Sequence, residues 1–287
     1  MSTQVSRRNA QQRVGHTLMW IAILLVTLIA LYPFLWAIIT SFKPQRDALE
    51  SSLIPWVQFD PIMDNWKAEL QTGGQENFNA LKNSGIIALG ATAVALTLGT
   101  SAGYGLARFR FRIGNRNLVS WFLSQRFLPP VATLIPFFLM LQRLDLFDTR
   151  LGMIIVNATF VMPFAVLITR DFFADLPKDL EEAALVDGAS HRQVFLRVAL
   201  PIAGPAIVAA GIICFTFAWN EFLFASVLTV RDAQPFTVKI SSTGTVRGIH
   251  FGYVSTRLLM AVLPPLILSL FVQRYIVRGL TMGAVKG

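Results

Sequence analysis

Apolar residues occur along this chain in long stretches that short polar segments separate. A transmembrane helix needs about 20 mostly apolar residues, because the hydrocarbon core of a bilayer is about 30 Å thick. Six stretches reach or approach this length: 17–40, 83–107, 118–142, 151–169, 198–230 and about 254–273. Pro264 and Pro265 interrupt the last of them. The pattern predicts an all-α, polytopic membrane protein with six transmembrane helices.

The first stretch has two interpretations, because Arg7 and Arg8 precede it as basic residues precede the apolar part of a signal peptide. The stretch 17–40 is longer than the roughly 7–15 apolar residues of such a peptide. No small-x-small cleavage site follows it. We therefore expect an uncleaved first transmembrane helix.

The distribution of basic residues predicts the orientation, since cytoplasmic loops of membrane proteins carry an excess of lysine and arginine. Four arginines follow the second stretch within one short segment: Arg108, Arg110, Arg112 and Arg116. This side, which also carries both chain ends, is predicted to be cytoplasmic. The predicted organisation is a cytoplasmic tail over 1–16, one transmembrane domain over 17–277 and a second cytoplasmic tail over 278–287.

The composition supports a lipid-covered surface. Of 287 residues, 54% are hydrophobic and 14% are charged, and the mean hydropathy is +0.57, whereas soluble domains have about 25% charged residues. The net charge is +9, but the basic excess lies in short loops beside apolar stretches. That placement favours membrane lipids over nucleic acid as the anionic partner. A single cysteine, Cys214, excludes a disulfide framework and a thiolate metal cluster.

Small residues recur every four positions in the second stretch: Ala91, Ala95, Gly99, Gly103 and Ala107. Such a stripe allows two helix backbones to approach closely in lipid, where packing drives association. It predicts a helix–helix contact, within the chain or with another subunit, and no chemistry.

Residues 171–201 are too polar to span a membrane and are patterned as two short helices. Pro177 fits the first position of a helix, and Gly188 fits a left-handed residue just past its end. Three acidic residues fall near the positive N-terminus of that helix: Asp179, Glu181 and Glu182. The pattern predicts the first arm of a helical hairpin.

The second arm opens at Ser190, with Gln193 three residues later as in a capping box. Pro201 is expected to mark the end of this arm. With Ala183 and Ala184 near its tip, the hairpin is suited to a groove in another protein. The alternative is an amphipathic hairpin that lies on the lipid headgroups.

The hairpin resembles the cytoplasmic motif of binding-protein-dependent ABC importer permeases. The matching residues are Glu182-Ala183-Ala184, Gly188, Val198 and Leu200-Pro201, with every spacing met. Further segments resemble the carbohydrate branch, whose type is the smaller membrane subunit of the maltose transporter: Ser41-Phe42-Lys43-Pro44, Asn83-Ser84, Ala107-Arg108-Phe109, Asp187-Gly188-Ala189, Trp219-Asn220-Glu221 and the tail from Gly279 to Gly287. The chain departs from that pattern at Ser124-Gln125-Arg126.

The resemblance implies a permease subunit of an ATP-driven sugar importer in the bacterial inner membrane. The implied partners are a second homologous permease subunit, an ATPase subunit dimer and an extracytoplasmic sugar-binding protein. The implied ATPase-coupling residues are Glu181, Glu182, Ala183, Ala184, Asp187, Gly188, Leu200 and Pro201. Among them, Glu182 would meet a basic group of the ATPase, and Gly188 would permit the turn.

The resemblance also assigns the chain's two other partner contacts. The C-terminal Lys286 and Gly287 would reach between the ATPase subunits, and the segment 241–253 would contact the binding protein through Gly244, Arg247 and His250. The sequence has no Gly-x4-Gly-Lys-Ser/Thr phosphate cradle. We therefore expect no cofactor or metal on this chain and no enzyme activity, with ATP and magnesium bound by the partner ATPase.

Polar residues inside the membrane are costly and are functional hypotheses by default. Three charged residues fall within the apolar stretches, namely Arg126, Glu221 and Arg257, and Arg257 is close enough to an edge to be interfacial. The candidates for lining the solute path are Asn220, Glu221, Asn157, Gln125 and Arg126. Bonding to a neighbouring helix or a place at the outer interface are the alternatives for Asn220 and Glu221.

Two other classes of function were weighed against the importer. A secondary transporter needs an intramembrane coupling site and usually shows inverted repeats, and no internal repeat is visible. A membrane enzyme needs a cluster of His, Asp or Cys at an interface, which the sequence does not show. The docking motif favours the importer subunit.

Overall fold

The computed structural model describes residues 2–242, 244–245 and 248–283, with side chains described for 15–242 and 248–270. In chain order the α-helices are α1 (Ser2–Ser41), α2 (Asp64–Lys67), α3 (Gly74–Arg108), α4 (Asn115–Ser124), α5 (Pro130–Arg143), α6 (Arg150–Asp175), α7 (Asp179–Val186), α8 (His191–Val194), α9 (Leu200–Ile202), α10 (Gly204–Trp219), α11 (Leu223–Leu228), α12 (Phe236–Ser241) and α13 (Phe251–Gly283). The predicted all-α class is confirmed.

Three short helical turns and two short strands complete the secondary structure of the described residues. Gln45–Asp47 is a 3-10 turn, and Ala68–Thr72 and Phe195–Ala199 are π-helical turns. The strands β1 (Gly244–Thr245) and β2 (Gly248–Ile249) pair antiparallel, with Gly244 opposite Ile249 and Thr245 opposite Gly248.

Four helical segments of the described chain are long and apolar enough to cross a membrane: Gly15–Ser41, Gly74–Arg108, Arg150–Asp175 and Phe251–Leu270. A fifth crossing is possible if His191–Ile202 and Gly204–Trp219, which meet at 74°, form one bent span. The six-helix count therefore stays a prediction. Pro264 and Pro265 do not interrupt the last helix, which continues through both.

The third predicted span, 118–142, is not one helix. The chain leaves α4 after Ser124, and α5 begins at Pro130. Proline disfavours helical geometry at the residue before it and lacks the N–H that a helix interior requires. The adjacent Pro129 and Pro130 therefore break this segment, although its composition is largely apolar.

The fifth predicted span, 198–230, is also divided. Helix α10 ends at Trp219, and the shorter α11 follows after three residues. Near the start of this predicted span, the chain bends by 74° between Ile202 and Gly204, just after Pro201. Hydropathy averaged over a long window did not reveal these breaks, because the few polar residues in them are outweighed by the apolar residues on both sides.

One compact unit comprises Met1–Gly73 and Thr243–Met260. Lys43 is fully buried at the centre of this unit. Its ammonium donates to the Glu50 carbonyl at 3.0 Å and lies 4.8 Å from the centre of the Trp36 ring. Burial lowers the pKa of Lys43, although the carboxylates of Asp47 and Glu50 oppose that shift. The lysine of the Ser41–Pro44 motif thus holds the chain that follows α1.

Two further contacts close this unit. The amide of Asn65 donates to the carbonyls of Ser41 and Lys43, both at 2.9 Å. Arg257 donates to the Glu69 carboxylate at 2.7 Å, and both side chains are largely buried. Arg257, one of the three charges expected inside spans, is therefore neutralised within the unit.

The other unit comprises Gly74–Ser242 and Ala261–Gly287, and α3, α6 and α10 form its centre. The predicted small-residue stripe lies on the face of α3 that packs on α6. A Cβ atom built on Gly99 would come within 2.7 Å of Ala165 Cβ, and one on Gly103 within 2.4 Å of Thr169 Oγ1. The predicted close helix–helix contact is confirmed, and its partner is α6 of the same chain.

Candidate functional site

The first arm of the hairpin is α7, which begins at Asp179, two residues later than the start predicted at Pro177. Its end follows the prediction. Gly188 has φ +85°, and the N–H groups of Gly188 and Ala189 donate to the carbonyls of Leu185 and Ala184, both at 3.0 Å. This is the left-handed closure that glycine provides at a helix C-terminus.

The second arm begins with the predicted capping box. The Ser190 hydroxyl accepts from the Gln193 N–H at 3.4 Å, and the Gln193 side chain accepts from the Ser190 N–H at 2.8 Å. Helix α8 then passes through the π-helical turn into α9. Leu200 and Pro201 lie in the last turn of this arm, whose helical segment ends at Ile202, so the expected end at Pro201 is met to within one residue.

The tip of the hairpin presents both charged and apolar side chains to the surroundings. Glu182 and Ala183 are exposed, and Val186 is 87% exposed. Ala184 is half-buried and lines a cavity of about 370 Å³ between the two arms. The other residues that line this cavity are Asp187, Gly188, Ala189, Gln193, Arg197 and Val198. An exposed apolar tip beside a carboxylate is suited to binding another protein.

The two adjacent glutamates of α7 point in different directions. Glu182 is exposed, whereas Glu181 is buried and accepts from Arg108 Nε at 2.9 Å and from the Tyr104 hydroxyl at 2.9 Å. Arg108 also donates to the Leu176 carbonyl at 3.0 Å, where α6 ends. Arg108 and Glu181 are each 8% exposed in their side chains. The sequence placed both glutamates in one coupling group, and the structure separates them.

Tyr104 is the centre of the apolar packing around this ion pair. Its ring lies 5.2 Å from the Phe173 ring and 4.8 Å from the Phe195 ring, with Ala199 and Ala203 buried in the same cluster. The last turn of α3 therefore contacts the end of α6 and both arms of the hairpin. Sequence reasoning missed Tyr104, and it used Arg108 for the orientation and as part of the Ala107–Phe109 motif without placing it in a site.

At the other end of the same bundle, Asp148 receives four backbone N–H groups. Asp148 Oδ1 accepts from Val230 and Ala233, and Oδ2 accepts from Arg231 and Asp232, at 3.0 to 3.1 Å. Burial, the largest single influence, acts to raise the pKa of Asp148, but the four N–H donors together lower it below the ordinary 3.8. The carboxylate is therefore ionised at neutral pH.

Asn83 and Ser84 are the pair that resembles the family at the start of the second span. They bond to the connection between α11 and α12, to which Asp148 also bonds. The Asn83 amide donates to the carbonyls of Asp232 and Gln234 and accepts from Arg150 Nε at 2.7 Å. The Ser84 hydroxyl accepts from the Phe236 N–H at 2.8 Å. Of these residues, Asn83, Arg150, Asp232 and Gln234 line a polar cavity of about 570 Å³.

Arg126 lies in the break between α4 and α5 and stacks on aromatic rings. Its guanidinium is 3.9 Å from the centre of the Phe164 ring and 5.2 Å from that of Phe217, and it donates to the Phe160 carbonyl at 3.3 Å. Cation–π contact partly compensates a charge in an apolar setting. Gln125 is half-buried and borders a separate, largely aromatic cavity of about 390 Å³.

Three other predicted path residues bond within the chain. The Glu221 carboxylate accepts from the N–H groups of Phe224 and Ala225 at 2.7 and 3.0 Å, so it caps α11. The Asn220 amide donates to the Thr216 carbonyl, and its side chain stays exposed. Asn157 is buried and donates to the Met153 carbonyl of its own helix.

The predicted contacts to the other partners are described only in part. Gly244 lies in β1, and the His250 ring stacks on Tyr253 at 3.7 Å. Burial lowers the pKa of His250 below its ordinary 6.5, although the Glu69 carboxylate opposes the shift, so the ring is neutral at pH 7. Arg247, Lys286 and Gly287 lie outside the described residues.

Apolar helices of membrane-spanning length define a membrane-embedded protein, and one of its connections is an exposed helical hairpin. The chain belongs to the family described as "binding-protein-dependent transport system inner membrane component", whose model matches residues 95–282. It is therefore a permease subunit of an ABC importer, a class that works with an ATPase and a binding protein. This membership sets aside the secondary transporter and the membrane enzyme.

Curated relatives match nearly the whole chain. The trehalose transport system permease protein SugB of Mycobacterium tuberculosis is 36% identical over 90% of this chain and 93% of its own length. The trehalose/maltose transport system permease protein MalG of Thermococcus litoralis is 30% identical over 94% of this chain and 96% of its own. The diacetylchitobiose uptake permease DasC of Streptomyces coelicolor is 29% identical over 89% and 92%.

Solved structures share the fold. A chain of a bacterial ABC transporter involved in import of the acidic polysaccharide alginate has a TM-score of 0.75 at 22% identity, covering 92% of this chain and 96% of that one. A chain of the methionine ABC transporter MetNI has a TM-score of 0.59 at 17% identity, covering 72% and 97%. At these identities the likeness supports the architecture alone.

Proposed function

We propose that this chain forms half of the translocation path of an ATP-driven sugar importer and receives the movement of a separate ATPase through the hairpin 171–201. A second homologous permease subunit forms the other half. The assignment to sugars is supported by relatives whose names refer to trehalose, maltose and diacetylchitobiose. The particular sugar is left to the binding protein that delivers it.

The observation that carries the coupling proposal is the form of the hairpin tip. A carboxylate and small apolar side chains stand exposed beside a glycine turn, while Ala184 lines the hollow between the arms. In water, an exposed residue such as Val186 gains by burial against a partner. The Glu182 carboxylate is placed to pair with a basic group of the ATPase, which is the contact that the family resemblance implies.

The proposed orientation puts the hairpin and both chain ends in the cytoplasm of the inner membrane. A cysteine at the exposed Asn117, beside the four-arginine segment, should react only with membrane-permeant thiol reagents in intact cells. One at the exposed Gln75, at the start of α3, should react with impermeant reagents. Both are made in a Cys214→Ala background. The reverse labelling pattern would invert the orientation and remove the docking proposal.

The solute path is proposed to include Asn220, Gln125 and Arg126, whose side chains are exposed or half-buried in this chain. Glu221 and Asn157 are kept as weaker members, because their polar atoms already bond within the chain. Gly244, Arg247 and His250 stay proposed contacts to the binding protein. Lys286 and Gly287 stay proposed contacts to the ATPase.

The docking proposal is tested by three substitutions at the tip. Ala184→Trp places a bulky ring in the hollow, where a docked partner would meet it, and packed interfaces tolerate added volume poorly. Gly188→Val places a β-branched residue at φ +85°, whereas Gly188→Asn places there a residue that tolerates this conformation. No atom stands within 4 Å of a Cβ at Gly188, so backbone strain is the difference between the two variants.

We expect Ala184→Trp and Gly188→Val to insert normally, to lose the ATPase in pull-down experiments and to abolish uptake, and Gly188→Asn to retain both functions. Uptake is measured with radiolabelled trehalose, maltose and diacetylchitobiose. Normal ATPase retention in both bulky variants would show that the hairpin is not the docking element. ATP hydrolysis by the purified chain alone would overturn the importer assignment itself.

A further inference from the structure

We propose that Glu181, Arg108 and Tyr104 form the link through which the hairpin moves α3, so that docking and transmission belong to different glutamates of α7. The inference rests on the proposed docking role of the hairpin. Successive helical residues point about 100° apart. Glu182 therefore faces outward, while Glu181 faces the last turn of α3.

The link joins three segments at one point. Glu181 accepts from Arg108 and from Tyr104, and Arg108 also donates to the Leu176 carbonyl just before the hairpin. The Tyr104 ring packs on Phe195 of the second arm. Both arms and the end of α6 are thus tied to the final turn of one helix.

The kind of contact suits transmission of movement. Apolar side chains slide past one another with little change in energy, whereas charge-assisted hydrogen bonds are short and directional. At 8% exposure for both side chains, the Arg108–Glu181 pair is little screened by water. A displacement of α7 that broke these bonds would leave two buried charges unpaired, so α3 is expected to follow α7.

The helices that move with the hairpin include α6 as well as α3. Gly99 and Gly103 bring α3 so close to α6 that a single Cβ atom would overlap Ala165 or Thr169. Packed interiors of this kind transmit strain rather than absorb it. The force applied at Arg108 therefore reaches α6 together with α3.

A buried ion pair is also found as a purely structural contact, and its presence alone does not establish a role in coupling. A structural contact changes how much protein folds, inserts and assembles. A transmitting contact changes how much sugar moves for each ATP hydrolysed by the assembled complex. The second quantity separates the two roles.

The matched pair is Glu181→Gln and Glu182→Gln, measured in the complete transporter with its ATPase, second permease and binding protein in proteoliposomes. We expect Glu181→Gln to retain the ATPase but to transport about tenfold less sugar per ATP hydrolysed, within the usual range of coupling factors. We expect Glu182→Gln to weaken ATPase retention more mildly than the bulky variants, as for a partly exposed ion pair, with transport falling in proportion. The transported probes are again trehalose, maltose and diacetylchitobiose.

A second readout needs no sugar. Spin labels at the exposed Arg192 of the hairpin and the exposed Gln75 at the far end of α3 report the distance between the hairpin and that helix. In the wild-type background, ATP with vanadate should leave this distance unchanged, because both ends move together. In Glu181→Gln the distance should change or broaden.

The proposal is overturned if Glu181→Gln transports normally per ATP, if its ATPase retention weakens as that of Glu182→Gln does, or if the wild-type distance changes with ATP and vanadate. Normal ATPase retention and uptake in Ala184→Trp and Gly188→Val would instead refute the docking role.

If Glu181→Gln is absent from the membrane, Tyr104→Phe tests the link in its place, since it removes one hydroxyl and keeps the ring and the ion pair. We expect it to lower transport per ATP about fivefold, at the low end of coupling factors, and an unchanged ratio would overturn the link.

Discussion

The two ends of the α3–α6 bundle are held by different kinds of bond. At the hairpin end, three side chains meet: Arg108, Glu181 and Tyr104. At the opposite end, Asp148 and Asn83 bond to backbone groups of the connection at 230–234. Each end joins segments that lie far apart in the sequence, but the ion pair at the hairpin end is buried on both sides, whereas in the Lys239–Glu76 pair of the opposite end the carboxylate is exposed.

The difference indicates which end is built to move. At the Asp148 end, the backbone cannot move away from its bonds to side chains without changing its own conformation. Asp148, which accepts from four consecutive N–H groups, therefore fixes the conformation of residues 230–233. A side-chain ion pair instead joins two helices that each remain intact when the pair is displaced. We interpret the Asp148 end as a fixed frame and the Arg108 end as a joint.

The largest effect on stability is expected at the joint. Glu181→Ala leaves Arg108 buried without its carboxylate, and breaking a buried pair costs about 3–5 kcal/mol. Glu182→Ala, at the exposed neighbour, should change little. Thermal unfolding of the detergent-solubilised chain measures both variants. The double variant Arg108→Ala/Glu181→Ala should lose less than the sum of the single losses, and additive losses would contradict a direct pair.

The second effect is expected at the frame. Asp148→Ala removes the acceptor of four N–H groups, and leaving such donors unsatisfied should cost about 2–3 kcal/mol. Asp145→Ala is the matched control, because Asp145 and Asp148 have φ of 54° and 53° and the same alanine strain applies to both. Equal unfolding temperatures for the two variants would show that the carboxylate of Asp148 does not hold the frame.

The third effect concerns the helix contact that connects the two ends. Gly103→Ala places a methyl group against Thr169 and the α6 backbone, and such overpacking should cost about 1–3 kcal/mol. Gly105→Ala meets only an ordinary contact at 3.6 Å, so the helical preference of alanine should stabilise the chain by about 0.5–1 kcal/mol. Opposite signs in the unfolding temperature are the expected result. A stabilising Gly103→Ala would contradict the close packing.

The smallest expected effect is the loss, in acid, of the stability that the Asp148 carboxylate contributes. Because the pKa of Asp148 is lower in the folded chain, its carboxylate stabilises the fold above the ordinary pKa of 3.8, and this stability is lost as the pH falls through the folded value. The unfolding temperatures of wild type and Asp148→Asn should therefore differ at pH 7, begin to converge as the pH falls below about 3.8, and meet only below the lower folded pKa. A difference that persists in strong acid would mean that the charge is not its cause.

Sequence patterns predicted the features that depend on neighbouring residues. The left-handed Gly188, the capping box of Ser190 and Gln193 and the stripe ending near Gly103 all appear in the structure. Each depends on residues within a few positions of one another, where dihedral preferences and helical periodicity decide the outcome. The apolar stretches likewise predicted the long helices, because hydropathy depends on composition alone.

The tertiary structure alone decided which distant groups meet. Arg108 and Glu181 are 73 residues apart, and Asp148 and Val230 are 82 residues apart. The sequence contained two adjacent glutamates with equal chemistry, and nothing local distinguishes which of them turns toward α3. That choice depends on the rotation of α7 about its axis, which packing of the hairpin on Tyr104 sets. Composition determined that this chain enters a membrane, and packing determined which of its charges are joined there.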